Sequence, residues 1–323
     1  MLRSMYSGIS GLKNFQTKLD VIGNNIANVN TYGFKKGRTV FKDLISQTVA
    51  GASGPTNTRG GVNPKQVGLG SQIATIDTIH SGGSTQFTGN TLDLAISGDG
   101  FFIVADGLNV DPAAGTGEFT NPLYTRAGNF YMDNNGYLVN SDGKFIVGEG
   151  IAWDGDPASV AGTYPDATTV KSAGATGNLD TSAGDFTGDT LPTTAGGSYT
   201  PIRIPSNAQS MSIGQDGTVT FVDADGTLKW AGQLVLAKFP NPGGLTKAGA
   251  NYFQSSANSG VPLNQVATAE GLGTINSGFL EMSNVDLSEE FTDMIVAQRG
   301  FQANTRIITT SDEILQELVN LKR

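Results

Sequence analysis

Apolar residues recur at every seventh position where the chain begins. Positions 5, 12, 19 and 26 read Met, Leu, Leu, Ile, and positions 1, 8, 15, 22 and 29 read Met, Gly, Phe, Ile, Val. Both series fall on one face of an α-helix, so the spacing predicts a single amphipathic helix over residues 3–29. The other end behaves alike. Leu287, Phe291, Met294, Phe301, Ile308 and Leu315 are separated by steps of three, four or seven, and Ile307, Ile314, Leu318 and Leu321 widen the stripe. A second helix is predicted over residues 286–320. Its start is signed by Ser283-Asn284-Val285-Asp286, which offers N-cap side chains, and by Glu289 and Glu290 in the first turn, where the macrodipole favours negative charge. Asp286 with Glu289 has the spacing of a capping box.

Between these ends the pattern changes to short β-runs: Leu92–Ile96, Phe101–Val104, Asn129–Met132, Tyr137–Val139, Val219–Val222 and Gln233–Phe239. Asp-Gly or Asn-Gly pairs at 99–100, 135–136, 142–143, 216–217 and 225–226 supply the residues that tight hairpins require. Residues 152–200 are rich in Gly, Ala, Thr, Ser and Asp and too poor in large apolar groups to build much core. They are expected to form a small inserted β-domain or a loop. Residues 43–72 show weak local preference and are expected as a long extended connection.

The fold class this predicts is α+β, mainly β, with long terminal helices paired as a coiled-coil-like core around nested β-domains. The expected divisions are residues 1–30 plus 284–323 as a helical assembly domain and 31–72 as a connecting segment. Residues 73–147 plus 202–283 form the β-rich domain, and 148–201 the inserted outer domain. Long amphipathic helices away from a core are marginal in water. Two readings of them stand side by side: a private two-helix hairpin on the chain's own β-domain, or helix packing between copies in a polymer.

Composition narrows the chemistry. Among 323 residues there are 44 glycines, 15% charged residues and no cysteine, which suits turn-rich β-structure and excludes disulfides, thiolate catalysis and cysteine metal sites. The longest apolar runs are strand-sized, far short of the roughly 20 residues that span a bilayer. The first 20 residues lack the continuous apolar core and cleavage pattern of a Sec-type signal peptide, so a cytosolic protein or export by another route is expected. Net charge is −9, unevenly spread: residues 1–42 hold seven basic groups and one acid, whereas residues 281–323 hold eight acids and four bases. An acidic middle argues against nucleic acid.

Candidate catalytic chemistry is thin. His80, the one histidine, has no neighbouring spacing of a nucleophilic elbow. Asp133-Asn134-Asn135-Gly136 and Asp223-Ala224-Asp225-Gly226 lack the calcium-loop frame and its closing Glu, and read as hairpin turns. Gly68-Leu69-Gly70 and Gly98-Asp99-Gly100 lack the third glycine of a dinucleotide fingerprint. Lys35, Lys36, Arg38 and Lys42, with Tyr32, Phe34 and Phe41 interleaved, form a basic cluster suited to a solvated face, to acidic neighbours or to nucleic acid. No enzyme, cofactor, metal or small-molecule substrate is expected.

Three separated stretches occur in one order: MLRSMYSGISGLKNFQTKLDVIGNNIANVNTYGFKKGRTVFKDL, LDLAISGDGFFIV with YTRAGNF, and SNVDLSEEFTDMIVAQRGFQANTRIITTSDEILQELVNL. Together they resemble the bacterial flagellar rod and hook family, with hook subunits the nearest likeness. The 43–72 connection resembles an extension of distal rod proteins and some hook proteins. The resemblance implies a subunit of a hollow helical tube, with the paired terminal helices innermost and residues 148–201 outermost. As a hook, the tube would pass motor torque to the filament as a universal joint; the alternative is a distal rod subunit. A secreted β-rich adhesin or carbohydrate-binding module would leave the terminal helices without a purpose. Implied partners are further copies of the chain, the distal rod protein, hook cap and hook–filament junction proteins, and the flagellar type III export apparatus, with the product in the flagellum and outside the cell after export.

The expected self-assembly interface comprises Met5, Ile9, Leu12, Leu19, Ile22, Asn25, Ile26 and Asn28 on the first helix. On the second it comprises Leu287, Phe291, Met294, Phe301, Ile308 and Leu315. NNIANVNTYGFKK crowds amides where the first helix ends. Asn25 and Asn28 are expected either to hydrogen-bond across a helix contact or to face solvent. Asn30, Thr31 and Gly33 are expected to stop the helix, with Tyr32, Gly33 and Phe34 as the junction to the β-domain.

Overall fold

A computed structural model describes residues 2–111, 116–150, 190–191, 199–269 and 271–321. The chain divides into two compact units. One holds residues 1–29, 35–79 and 285–323, the other residues 30–34 and 80–284.

The first unit is built on two helices, α1 (Leu2–Ala27) and α2 (Leu287–Asn320). They run antiparallel and close together. A Cβ on Gly8 would lie 3.3 Å from Ile308 Cγ1, one on Gly11 2.8 Å from Asn304 Nδ2, and one on Gly300 2.5 Å from Cζ of Phe15. Lys18 and Asp293 bridge the same seam at 3.2 Å. Asp286 caps α2, its Oδ1 accepting from the Ser288 amide at 2.8 Å and the Glu289 amide at 3.4 Å. The reciprocal half of a capping box is not made, because the Glu289 carboxylate takes the Lys36 ammonium at 2.7 Å, a charged partner in place of a neutral amide.

Four strands complete this unit: β1 (Gly37–Asp43), β2 (Ser46–Ala50), β3 (Lys65–Gly68) and β4 (Ser71–Thr78). β1 pairs with β4 from Gly37↔Thr78 to Asp43↔Ser71, and β2 pairs with β3 from Ser46↔Gly68 to Ala50↔Lys65. Bridges Ser53↔Val62 and Thr56↔Arg59 carry the ladder to its tip. The segment expected as an extended connection is therefore a long β-hairpin, and the boundary expected at residue 72 falls inside β4. Its pairing joins residues far apart in sequence, so local preference gave no sign of it. α1 holds the hairpin's base: Asn14 Nδ2 donates to Ser71 Oγ at 2.8 Å, and the Phe15 and Phe41 rings meet edge to face at 6.2 Å. Further out both faces of the ribbon are open, and Ile45, Val49, Val62 and Val67 are exposed.

The second unit centres on a 13-stranded antiparallel sheet. Phe101, Ile103 and Ala105 join one buried cluster with Val235, Ala237 and Phe239. The intervening Phe102 and Val104 join the other with Leu234 and Leu236. Alternate residues of a strand face opposite ways. With both faces covered, the run Phe101–Val104 is apolar throughout rather than alternating. The sites at 135–136, 142–143, 216–217 and 225–226 form turns, and Asp133 Oδ1 accepts from the amides of Asn135 at 2.9 Å and Tyr137 at 2.7 Å. Asp99-Gly100 makes no hairpin, because the strand before it, Leu94–Ser97, pairs with Thr274–Ser277 and not with the strand that follows. The expected domain at 148–201 lies outside the described residues except at 148–150, 190–191 and 199–201. There, strand Phe145–Gly150 pairs with Tyr199–Pro201 through Val147↔Pro201 and Glu149↔Tyr199, so the segment leaves and returns side by side.

Arg126, within YTRAGNF, ties this unit together. Its guanidinium donates to Gly98 O at 2.7 Å and Ile96 O at 3.4 Å and meets Glu281 Oε2 at 3.2 Å. Both members of the pair are buried, at 4% and 1% side-chain exposure. Glu281 Oε1 also accepts from the Gly83 amide at 3.0 Å, and its backbone carbonyl from the Gly33 amide at 2.9 Å. Gly128 allows the motif to approach LDLAISGDG, since a Cβ there would sit 1.6 Å from Leu94 O. Breaking a buried ion pair from one side is strongly destabilising, and here it also removes the bonds to Gly98 O and Ile96 O. Arg126→Ala is expected to destabilise the chain by about 3–5 kcal/mol. Arg38→Ala, which breaks an exposed 3.4 Å pair with Asp77, is expected to change stability by under about 1 kcal/mol. Urea unfolding midpoints of the two variants check the contrast.

Candidate assembly interface

The seam between α1 and α2 is built from two interleaved heptad series. On α2, Glu290, Ala297, Asn304 and Ser311 alternate with Met294, Phe301, Ile308 and Leu315. The first series is small or polar, and three of its members are buried. On α1, Gly8, Gly11, Ile22 and Asn25 are buried along the facing stripe. Small residues let the two backbones approach, and polar ones fix how they meet.

Asn25 holds three elements. Its Nδ2 donates to Gly37 O at 2.9 Å and its Oδ1 accepts from Gly37 N at 3.0 Å, a two-point clamp on the start of β1. The same Nδ2 lies 3.2 Å from Glu290 Oε2 on α2. Burial pushes the Glu290 carboxyl above the usual carboxylate range, opposed by the Asn25 hydrogen bond and the nearby Lys36 charge. Asn28 behaves differently, its Nδ2 reaching back along its own helix to Asn24 O at 2.9 Å.

The expected interface residues separate by burial. Ile22 and Asn25 are buried. Met5, Leu12, Leu19, Ile26, Asn28, Met294, Ile308 and Leu315 are half-buried, and Ile9, Leu287, Phe291 and Phe301 are exposed. Beyond these, α2 leaves Ile295, Val296, Ile307, Ile314, Leu318 and Leu321 exposed, and α1 leaves Tyr6. This is an apolar surface that nothing in the chain's own first unit covers. Gly11, Asn14, Gly300, Asn304 and Glu290 were missed by hydrophobic periodicity because none is apolar. Their one signal is the heptad spacing that Glu290, Ala297, Asn304 and Ser311 share with the apolar series.

In the second unit, Tyr32, Gly33 and Phe34 are fixed. Tyr32 O accepts from Asn251 Nδ2 at 3.1 Å and its hydroxyl meets Gln86 Oε1 at 3.3 Å. The Lys247 ammonium lies 5.0 Å from the centre of the Phe34 ring. Burial holds the Lys247 ammonium below the usual lysine range. Gly33 has φ +69°, and a Cβ there would lie 2.4 Å from the Ala127 amide nitrogen. α1 itself ends at Ala27, so the left-handed residue serves the turn that follows rather than the helix stop. Of the basic cluster, Lys36 pairs with Glu289 and Arg38 with Asp77 inside the chain. Among the described residues no group of three or more metal-binding side chains is found, and no helix is long and apolar enough to cross a membrane.

The fold and this seam define a chain whose two terminal helices are organised around each other and which leaves a set of large apolar side chains exposed on the second. Three family models match it: the flagella basal body rod protein model at residues 5–35, the flagellar hook protein FlgE/F/G D1 domain at 95–221 and the flagellar basal body rod FlgEFG protein C-terminal model at 276–321. The flagellar basal-body rod protein FlgG of Bacillus subtilis is 52% identical over 325 residues, all of both chains. The flagellar hook protein FlgE of Borreliella burgdorferi is 37% identical over 455 residues, and the rod protein FlgG of the same organism 33% over 330, again over the whole of each chain. A crystal structure of Helicobacter pylori flagellar hook protein FlgE2 is similar at 12% identity and TM-score 0.38, over 61% of this chain and all of that one. The chain belongs to the flagellar basal-body rod and hook protein family, and so to the bacterial flagellum.

Asn25 and Asn28 make opposite predictions. Asn25→Ala orphans the Gly37 amide and carbonyl at a part-buried site and is expected to cost about 2–3 kcal/mol. Asn28→Ala is expected to cost under about 0.5 kcal/mol. Thermal unfolding of the full chain, read by far-ultraviolet circular dichroism, checks both.

Proposed function

We propose that this protein is a distal rod subunit, a structural component that polymerises through its terminal helices into a hollow shaft transmitting motor torque. The observation that carries the choice of rod over hook is length together with identity. Alignment to the Bacillus rod protein needs 325 residues for two whole chains, whereas alignment to the Borreliella and Treponema pallidum hook proteins runs to 455 and 475. The hook reading drawn from the motifs gives way to its alternative, and the 37% identity to a hook protein is what still favours it.

Polymerisation is supported by the open apolar stripe of α2, which water penalises by roughly 25 cal/mol for each Å² left exposed. Charge supports it as well. Residues 35–79 carry six basic groups and two acids, and residues 80–284 carry seven basic groups and nineteen acids. A basic hairpin and an acidic β-unit on one chain suit head-to-tail contact between copies, which builds an open helical filament wherever the rotation does not close into a ring. The reading is not enzymatic.

Replacing Ile295, Ile307 and Leu318 together by Ser is expected to leave the helical content of the dilute chain unchanged and to abolish tubes. Electron microscopy of concentrated full-length and variant protein checks this, and tubes from the variant would remove the helices from the mechanism. Straight tubes, and tagged protein within straight segments spanning the envelope, are expected for a rod. Curved external segments would return the protein to the hook.

A further inference from the structure

Three carboxylates stand in the first two turns of α2, and each meets a different kind of group. Glu289 takes the Lys36 ammonium at 2.7 Å and Asp293 takes Lys18 at 3.2 Å, and both of these acids are exposed. Glu290 between them is 6% exposed, and the group it meets across the seam is the neutral amide of Asn25 at 3.2 Å. The buried acid thus has the partner least able to hold a negative charge. Around it, Lys36, just before β1, acts with opposite charge and Glu289 and Asp293 of α2 with like charge, while Lys18 of α1 meets Asp293. Arg38 of β1 is occupied by Asp77 of β4.

We propose that Glu290 and Asn25 form a proton-sensitive latch, tightening the α1–α2 pair and its hold on the hairpin base as the medium becomes mildly acidic. Asn25 couples the helix pair to the hairpin base because the amide facing Glu290 also clamps both backbone groups of Gly37. Its own bond to Glu290 favours the carboxylate, so the gain on protonation comes from relieving the buried charge between the helices. The direction follows from linkage. Burial raises the Glu290 carboxyl above its ordinary value in the closed pair. As pH falls from neutral through that raised value, the closed state takes up a proton before the open state does, and closure gains stability. The gain is complete below the carboxyl's ordinary value and is lost as pH rises through the raised one.

The test uses the dilute full-length chain. Hydrogen-exchange protection of the Gly37 amide, corrected for the intrinsic pH dependence of exchange, is expected to rise from pH 7.5 to 5.5 in the wild type. In Glu290→Gln the rise is expected to be lost, with protection high at both pH values. Glu289→Gln is expected to keep the rise. The Glu290 side-chain carboxyl, followed by carbon NMR in the wild type, should titrate above the ordinary glutamate value. The same rise in Glu290→Gln, or an ordinary titration of Glu290, overturns the proposal. The NMR measurement decides alone if the Gln variant fails to fold.

Discussion

Glu281 makes the contacts from which the nesting of the chain follows. A helix from each end of the sequence can pair only if the intervening residues are closed into a loop, and closing a flexible loop of a few hundred residues costs about 5 kcal/mol of entropy. The second unit removes that cost by bringing its own crossing points together. The Glu281 carbonyl accepts from Gly33, where the chain enters from α1, and its carboxylate accepts from Gly83, where the chain returns from the hairpin. Asn284, where the chain leaves toward α2, donates to Ser81 Oγ at 3.1 Å. Once this knot forms, α1 and α2 start from neighbouring anchor points.

The carboxylate in this knot is buried, and Arg126 meets it with opposite charge. Arg126 in turn is held by the carbonyls of Ile96 and Gly98. This explains why the TYGF, LDLAISGDG and YTRAGNF stretches stand out in the sequence although none carries reactive chemistry. They are three strands of one buried electrostatic contact, placed by the Gly33 turn against Ala127 and the contact of Gly128 with Leu94. Replacing either of the two glycines that allow these approaches would move backbone rather than side chain, so these two positions tolerate no larger residue.

Both helices were legible because amphipathic periodicity and the Asp286 cap are local signals, and observed bounds of Leu2–Ala27 and Leu287–Asn320 fall within two residues of those expected. The turn at Asp133–Gly136 was legible for the same reason. The hairpin of residues 37–78 was not, since Gly37 pairs with Thr78 and its outer side chains line no core that would impose an alternating pattern. The partner of Arg126 was also hidden, because Glu281 lies on a distant strand and ion pairing leaves no spacing to read. Asn25 was singled out, but what it holds, a backbone amide and carbonyl twelve residues on, could not be read from an amide's identity.

The division of labour between the helix faces bears on what the helices are for. A private helical hairpin is expected to place its most apolar stripe in the seam and leave a polar exterior. Here half the seam of α2 is Glu290, Ala297, Asn304 and Ser311, facing Gly11 and Asn25, whereas Ile295, Ile307 and Leu318 point outward. Steric fit and hydrogen bonds set the register of the intrachain pair. The larger part of the hydrophobic driving force remains unspent until another surface covers it. A polar seam has one satisfied alignment, while an apolar surface binds strongly but permits sliding. For the polymer proposed above, a seam with one satisfied alignment gives every copy the same α1–α2 pairing, and the exposed apolar side chains are left for contacts between copies.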